Sequence, residues 1–179
     1  MKELVEIVAA MAAKKGDVEN PRELFLDMAE RVVKAVCSMF SAKSDEVAIL
    51  IRTSDGAHLR FVAPRKFADL GTIPVTKRDS IAVNVLGRKA GEAMNNVPMV
   101  KHVAFFESVK LREKMVPIQK MITVPIMLAG EAVGVAQLSR KGESPSEAGP
   151  DFSQADMKRL QDVFESVAQY LVLARPERY

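Results

Sequence analysis

Few side chains in this sequence have the reactivity to do chemistry unaided, and their spacing joins none of them into a catalytic set. The single cysteine, Cys37, lies among Val33, Ala35, Val36 and Met39. That apolar spacing predicts a packed helix, in which a thiol behaves as a small apolar side chain. One cysteine cannot form an internal disulfide, in keeping with a cytoplasmic protein. The two histidines, His58 and His102, share no ligand spacing with Cys37 or with a pair of acids, so no metal centre is expected. No Gly-x-Ser-x-Gly, phosphate loop or dinucleotide fingerprint marks a nucleophile or a nucleotide cradle. No catalytic residue is therefore expected. The basic residues come as scattered pairs, Arg65-Lys66, Lys77-Arg78, Arg88-Lys89, Arg140-Lys141 and Lys158-Arg159, interleaved with acids. With a net charge of +3, no Trp and 6% aromatic residues, they read as solvated surface and not as a nucleic-acid contact.

These residues must be positioned by what amounts to one domain. The chain has 179 residues, of which 48% are hydrophobic and 27% charged, enough to bury one substantial core. Its longest apolar run, Met121 to Ala129, is nine residues long and contains Pro125. That is far below the ~20 needed to cross a bilayer. Glu3 and Glu6 interrupt the N-terminal apolar residues, so no export signal is read there and a cytoplasmic location is expected, with no membrane contact.

Leu4, Ile7, Val8 and Met11 predict a short amphipathic helix over residues 2 to 14, broken by Gly16 to Glu19. Asn20 as N-cap, Pro21 at the first helical position and Glu23 as capping-box acid start a second helix running to about Phe40, with Phe25, Met28 and Val32 on one stripe. Val47 to Ile51 is apolar on both parities, as expected of a strand whose sheet is covered on both faces. The Asp55-Gly56 turn joins it to an alternating strand over 58 to 62, and Ile73 to Thr76 is a short extended piece. Asp79 or Ser80 caps a middle helix stopped by Gly91, followed by a brief segment from Ala93 to Val97. Pro98 to Lys120 has the length of a lid. Met121 to Leu128 and Ala132 to Leu138 form a strong hairpin around the three-residue loop Ala129-Gly130-Glu131, and Gly142 to Asp151 is a flexible connection. Ser153 and Asp156 open the last helix as a capping box. Its Leu160, Phe164, Val167 and Leu171 follow the four-three-four step of a seam that packs on a partner helix. The same residues would equally serve packing on the chain's own sheet, with Met157, Val163 and Tyr170 covering a second direction.

The string Ile122-Thr123-Val124-Pro125-Ile126-Met127-Leu128, then Gly130-Glu131-Ala132-Val133-Gly134-Val135-Ala136-Gln137-Leu138, then Phe152-Ser153-Gln154-Ala155-Asp156 opening a long helix, closely resembles the C-terminal half of a GAF domain. Ile73-Pro74-Val75, Ser80-Ile81-Ala82, Gly87, Gly91-Glu92-Ala93 and Asn96-Val97-Pro98 resemble that family's third strand, middle helix and fourth strand in order. The sequence departs from the family pattern at Asn96, where an acid is common, and at Lys120, where a small polar residue is common. The resemblance implies an α+β fold with a central six-stranded antiparallel sheet, the terminal helices on one face, and the middle helix and variable segment roofing a small-molecule pocket on the other. It places the domain at residues 20–174, preceded by the helix and break at 1–19 and followed by a tail at 175–179.

For that pocket the expected lining is Arg52, Phe61, Ile81, Val85, Phe105, Phe106, Thr123 and Met127, apolar walls with a few polar anchors. Arg65, Lys66, Lys77, Arg78, Arg88 and Lys89 could steer an anionic ligand. Two cysteine-dependent activities of such folds fit poorly. Methionine-sulfoxide reduction needs a nucleophile and a resolving partner, and bilin attachment needs a cysteine near the pocket. The expected function is a non-enzymatic sensory or regulatory domain with no cofactor, binding an unidentified small molecule and signalling as a homodimer to a separate protein. The alternatives are a dimeric scaffold with a degenerate pocket and, third, an enzyme on the same fold. The dimer contact is expected at Phe25, Met28, Val32, Leu160, Phe164, Val167 and Leu171.

Overall fold

The apolar stripes of the sequence become helices with well-defined starts. In the computed structural model, which describes residues 1–69, 71–99, 116–177 and 179, α1 spans Lys2–Ala13 and α2 spans Pro21–Phe40. The Asn20 side-chain oxygen accepts the Glu23 N–H at 3.2 Å, but the Glu23 carboxylate does not complete the expected box. It reaches instead to the Arg65 guanidinium at 2.5 Å, where a full opposite charge is the stronger partner. The middle helix, α3, spans Ile81–Arg88 with Ser80 as its cap. It ends on Lys89 in the left-handed region at φ 54°, two residues before the expected stop at Gly91. Gly91 is small for another reason: a Cβ there would lie 3.0 Å from the Met157 sulfur. The last helix, α4, spans Gln154–Ala174 and opens on the expected reciprocal box. Ser153 Oγ accepts the Asp156 N–H at 3.1 Å, and the Asp156 carboxylate accepts the Ser153 N–H at 2.8 Å.

Six strands form one antiparallel sheet: β1 (Val47–Arg52), β2 (His58–Ala63), β3 (Thr72–Pro74), β4 (Glu92–Met94), β5 (Ile118–Leu128) and β6 (Glu131–Lys141), in the spatial order β3-β2-β1-β6-β5-β4. The β5–β6 turn is tighter than expected. Leu128 lies opposite Glu131, and only Ala129 and Gly130, at φ 49° and 80°, make the bend. Two central residues with positive φ match the twist of the flanking strands. Ile118, Gln119 and Lys120, expected in the variable segment, belong to β5 and are buried. Mixed polarity hid this strand end, because Gln119 and Lys120 are buried by hydrogen-bonding to the Gly142 and Gly149 carbonyls at 2.8 and 2.6 Å.

Both faces of the sheet are covered. Val47, Ile49 and Ile51 of β1, with Ile122, Val124 and Ile126 of β5, face α2 and α4, while Ala48, Leu50, Met121 and Val135 face the α3 side. Helix α1 lies on α2 and α4 through Leu4, Val8 and Ala12. Phe25, Met28, Val32, Leu160, Phe164, Val167 and Leu171, expected at a contact between copies, are all 0% exposed in the protomer's own core. The apolar sheet face needs that cover, so the seam is spent inside one chain and offers nothing to a partner. The core also runs past the expected limits of 20 and 174, taking in α1 at one end and Tyr179 at the other.

Candidate functional site

The α3 side of the sheet is built by strand parity. Leu50 on β1, Leu59 and Phe61 on β2, Met121 on β5 and Val135 on β6 point to one side, where Ile81, Val85 and Leu86 of α3 pack on them. Phe61 is buried and meets Phe67 edge-on, with ring centroids 5.7 Å apart. Met127 packs half-buried against this cluster.

A polar row crosses the same face. Thr123 and Gln137, both buried and directly opposite on β5 and β6, are joined by the Gln137 amide donating to the Thr123 hydroxyl at 3.1 Å. Two and four residues further along β6, Ser139 donates to the Glu46 carbonyl at 3.1 Å, and the Lys141 ammonium donates to the Asp45 carbonyl and carboxylate at 2.6 and 2.8 Å. Burial disfavours a charged Asp45, but the hydrogen bond and charge of Lys141 more than offset it and hold Asp45 below the usual carboxylate range. Asp45, Glu46, Gln137, Ser139 and Lys141, with Ala48, Phe67, Ile118 and Met121, surround a cavity of about 20 Å³, room for one water. A second space is larger and open to solvent. It runs along α3 towards β4, measures about 1010 Å³, and has Val75, Ile81, Val83 and Met94 as its apolar lining and Arg78, Asp79, Arg88 and Glu92 as its charged groups.

The structure puts Phe61, Ile81, Val85, Thr123 and Met127 on one side of the sheet, but of these only Ile81 lines the open cleft, while Phe61, Val85 and Thr123 are packed in the interior. Arg52 is elsewhere: it closes the β1–β2 hairpin, its Nε donating to the Gly56 carbonyl at 2.8 Å. Phe105 and Phe106 lie outside the described residues, as do His102 and most of the expected lid. The basic groups expected to steer an anion are dispersed. Arg65 pairs with Glu23 and Asp27 on α2, Lys66 lies over the Phe67 ring, and Lys89 pairs with Glu131. Arg88 is paired with Glu92, so Arg78 is the one cleft cation without an ion pair among the described residues, and Asp79 beside it offsets its charge. Gln137, Ser139 and Lys141 were missed. Gln137 alternates with Ala136 and Leu138 inside the expected strand, but Ser139 and Lys141 fall beyond its expected end at Leu138, where Arg140 breaks the apolar alternation.

Cys37 is half-buried against the helical core, across the sheet from this face. Burial, then the negative charges of Glu46, Glu30 and Asp45, push its thiol up, away from the thiolate that nucleophilic work requires. Among the described residues no three His, Cys, Asp or Glu side chains are grouped to hold a metal, and no helix is long and apolar enough to cross a membrane.

No protein-family model matches the sequence. No curated protein matches it significantly either. Solved structures do match in three dimensions. The GAF domain of an Acinetobacter phosphoenolpyruvate-protein phosphotransferase superposes with a TM-score of 0.65 at 11% identity, over 96% of this chain and 94% of that one. The corresponding GAF domain from Coxiella burnetii gives 0.66 at 12% identity over the same shares. A type II free methionine-R-sulfoxide reductase from Thermoplasma acidophilum gives 0.62 at 17% identity, over 85% of this chain and 95% of that one. Superposition on these domains over nearly the whole of both chains shows that this chain has the GAF fold, here a six-stranded antiparallel sheet with three helices on one face and one on the other.

Proposed function

We propose that the chain is a regulatory domain that takes a small molecule into the cleft beside α3, works as a homodimer and acts on a separate partner protein. The observation that carries this reading is the open cleft of about 1010 Å³ on the face away from the helical layer, with apolar side chains along it and a few charged groups. That mixture suits small organic molecules, which bury apolar surface and are oriented by a small number of polar contacts. Its charges come in opposite pairs, Arg88 with Glu92 and Arg78 beside Asp79, which favours a neutral or zwitterionic ligand over a strongly anionic one.

Catalysis is not part of the proposal. The Thermoplasma reductase shares the fold, but here the one cysteine lies on the opposite side of the sheet with a raised pKa. The carboxylates with a resolved shift, Asp45, Asp55, Glu131 and Asp156, are all lowered, so none of them is poised to give up a proton near neutral pH.

The test is heat denaturation of the purified protein against a panel of amino acids, nucleosides, nucleotides and organic acids. A ligand of the cleft raises the midpoint with concentration as binding to the native state requires. A Gly87→Arg substitution, at an exposed α3 position that lines the cleft and where an added Cβ meets nothing within 4 Å, abolishes that rise without lowering the ligand-free midpoint. A panel that moves nothing would favour the scaffold reading.

A further inference from the structure

We infer that two copies associate through the outer face of α1, antiparallel, about a twofold axis passing between Val8 and Ala9. The inference rests on the homodimer reading above and names its surface. The seam expected to serve is buried at 0% exposure, so a contact through the helical layer must use what that layer turns outward. Helix α1 is its outermost element. The Ser166 hydroxyl donates to the Met1 sulfur at 3.4 Å and the Lys15 ammonium to the Arg175 carbonyl at 2.6 Å, so α1 runs parallel to the last turns of α4 with one face left to solvent. Of the five large apolar side chains exposed among the described residues, Ile7 is on α1, Met1 immediately precedes it, and Leu173 is on this stretch of α4.

The outward face of α1 is self-complementary. Glu3, Ile7, Ala10 and Lys14 are all exposed and follow one another by four, three and four residues, which stacks them in a single stripe. Lys14, just past the helix, keeps right-handed helical backbone at φ −83° and ψ −1°, so the stripe is unbroken. Read from its N-terminal end it runs acid, apolar, apolar, base, and from the other end base, apolar, apolar, acid. Laid antiparallel on a second copy, Glu3 meets the partner's Lys14, Ile7 meets the partner's Ala10, and the same pairs recur by symmetry, as an isologous contact requires. The small Ala10 lets the two helix axes approach. In the parallel arrangement Glu3 would face its own copy and Lys14 likewise, so charge selects the antiparallel one. A contact of one short helix per protomer buries less than the ~1,000 Å² of a stable interface, so the dimer is reversible, concentration-dependent and weakened by salt.

Sedimentation equilibrium of the full chain over a concentration series, at low and high salt, tests this. The parent chain shows a monomer–dimer equilibrium. Glu3→Lys and Lys14→Glu each weaken it about tenfold, since each puts like charges opposite one another twice. An equimolar mixture of the two variants restores association, because one chain then offers two basic ends and the other two acidic ends. Both substitutions are on exposed positions, and unchanged thermal midpoints of the monomers show that folding is intact. A dimer that both variants leave unweakened, or a mixture no tighter than either variant alone, overturns the α1 surface while leaving the homodimer reading standing. A parent chain that stays monomeric throughout overturns both.

Discussion

Gly134 shows how closely a single residue can constrain the sheet. It lies on β6 between Ile51 of β1 and Ile126 of β5. A Cβ built on it falls under 3.0 Å from the Leu50 carbonyl oxygen, a separation real Cβ atoms do not show, and 3.0 Å from the Ile51 side chain. Backbone cannot yield as a flexible side-chain tip can, so Gly134→Ala must push β1 and β6 apart in the middle of the sheet. The expected loss is about 2–4 kcal/mol, read as a lower urea midpoint, and a variant as stable as the parent would show that the strands can part freely. The sequence carries this glycine inside the hairpin motif without its reason, which lies in a neighbouring strand. Phe61, Ile81 and Val85 were legible because apolar period and burial agree for them. Gln137 and Ser139 were not, because buried polar residues look like surface until their partners, the Thr123 hydroxyl and the Glu46 carbonyl, are known.

At the scale of elements, helix starts were readable, as was the end of α2 at Phe40, but the end of the middle helix was not. Ser153, Ser80 and Asn20 cap as their types demand, since a side-chain oxygen three residues ahead of a free N–H is a local event. The end of α3 falls on Lys89 in place of Gly91 because tertiary contact decided it: the Lys89 ammonium donates to the Gly130 carbonyl at 3.0 Å and pairs with Glu131 at 2.9 Å. The α4 cap yields a prediction with a pH signature. Hydrogen bonds from the Ser153 backbone and then its side chain hold Asp156 below the usual carboxylate range. A lowered folded pKa contributes stability that is present above the unfolded value of about 3.9 and is lost as pH falls through the folded one. Ser153→Ala should therefore cost about 1 kcal/mol at neutral pH, and the gap to the parent should narrow as the solution is acidified below about 3.9. Chemical denaturation of both proteins at several pH values measures it, and a gap independent of pH would place the capping energy elsewhere.

For the whole molecule, the three-layer plan was legible because β1 is apolar on both parities and a sheet with two apolar faces needs two covers. What closes the structure was not, since residues 175–179 read as a tail. The Arg175 guanidinium donates to the Arg52 carbonyl at 2.8 Å, the Ser54 N–H to the Tyr179 carbonyl at 3.1 Å, and the Tyr179 hydroxyl to the Phe61 carbonyl at 3.0 Å. The Tyr179 ring meets Phe25 edge-on at 5.0 Å and is 5% exposed, so it ties the end of α4 to α2 and to the β1–β2 hairpin at once. No local pattern announces such a contact between distant parts of the chain. Burial pushes the Tyr179 hydroxyl up to about 12, against the opposing charges of Arg60 and Arg22. A raised folded pKa means that its stabilisation is whole below the unfolded value of about 10 and is lost as pH rises through about 12. Tyr179→Phe keeps the ring contact and removes the hydroxyl. It should lower stability by about 1 kcal/mol at neutral pH, and the difference from the parent should shrink between about pH 10 and pH 12. Urea unfolding of both chains across that range provides the measurement. Equal stability at neutral pH would mean that the hydroxyl holds nothing, and a gap unchanged at high pH would mean that the phenol ionises as easily in the folded protein as in the unfolded one.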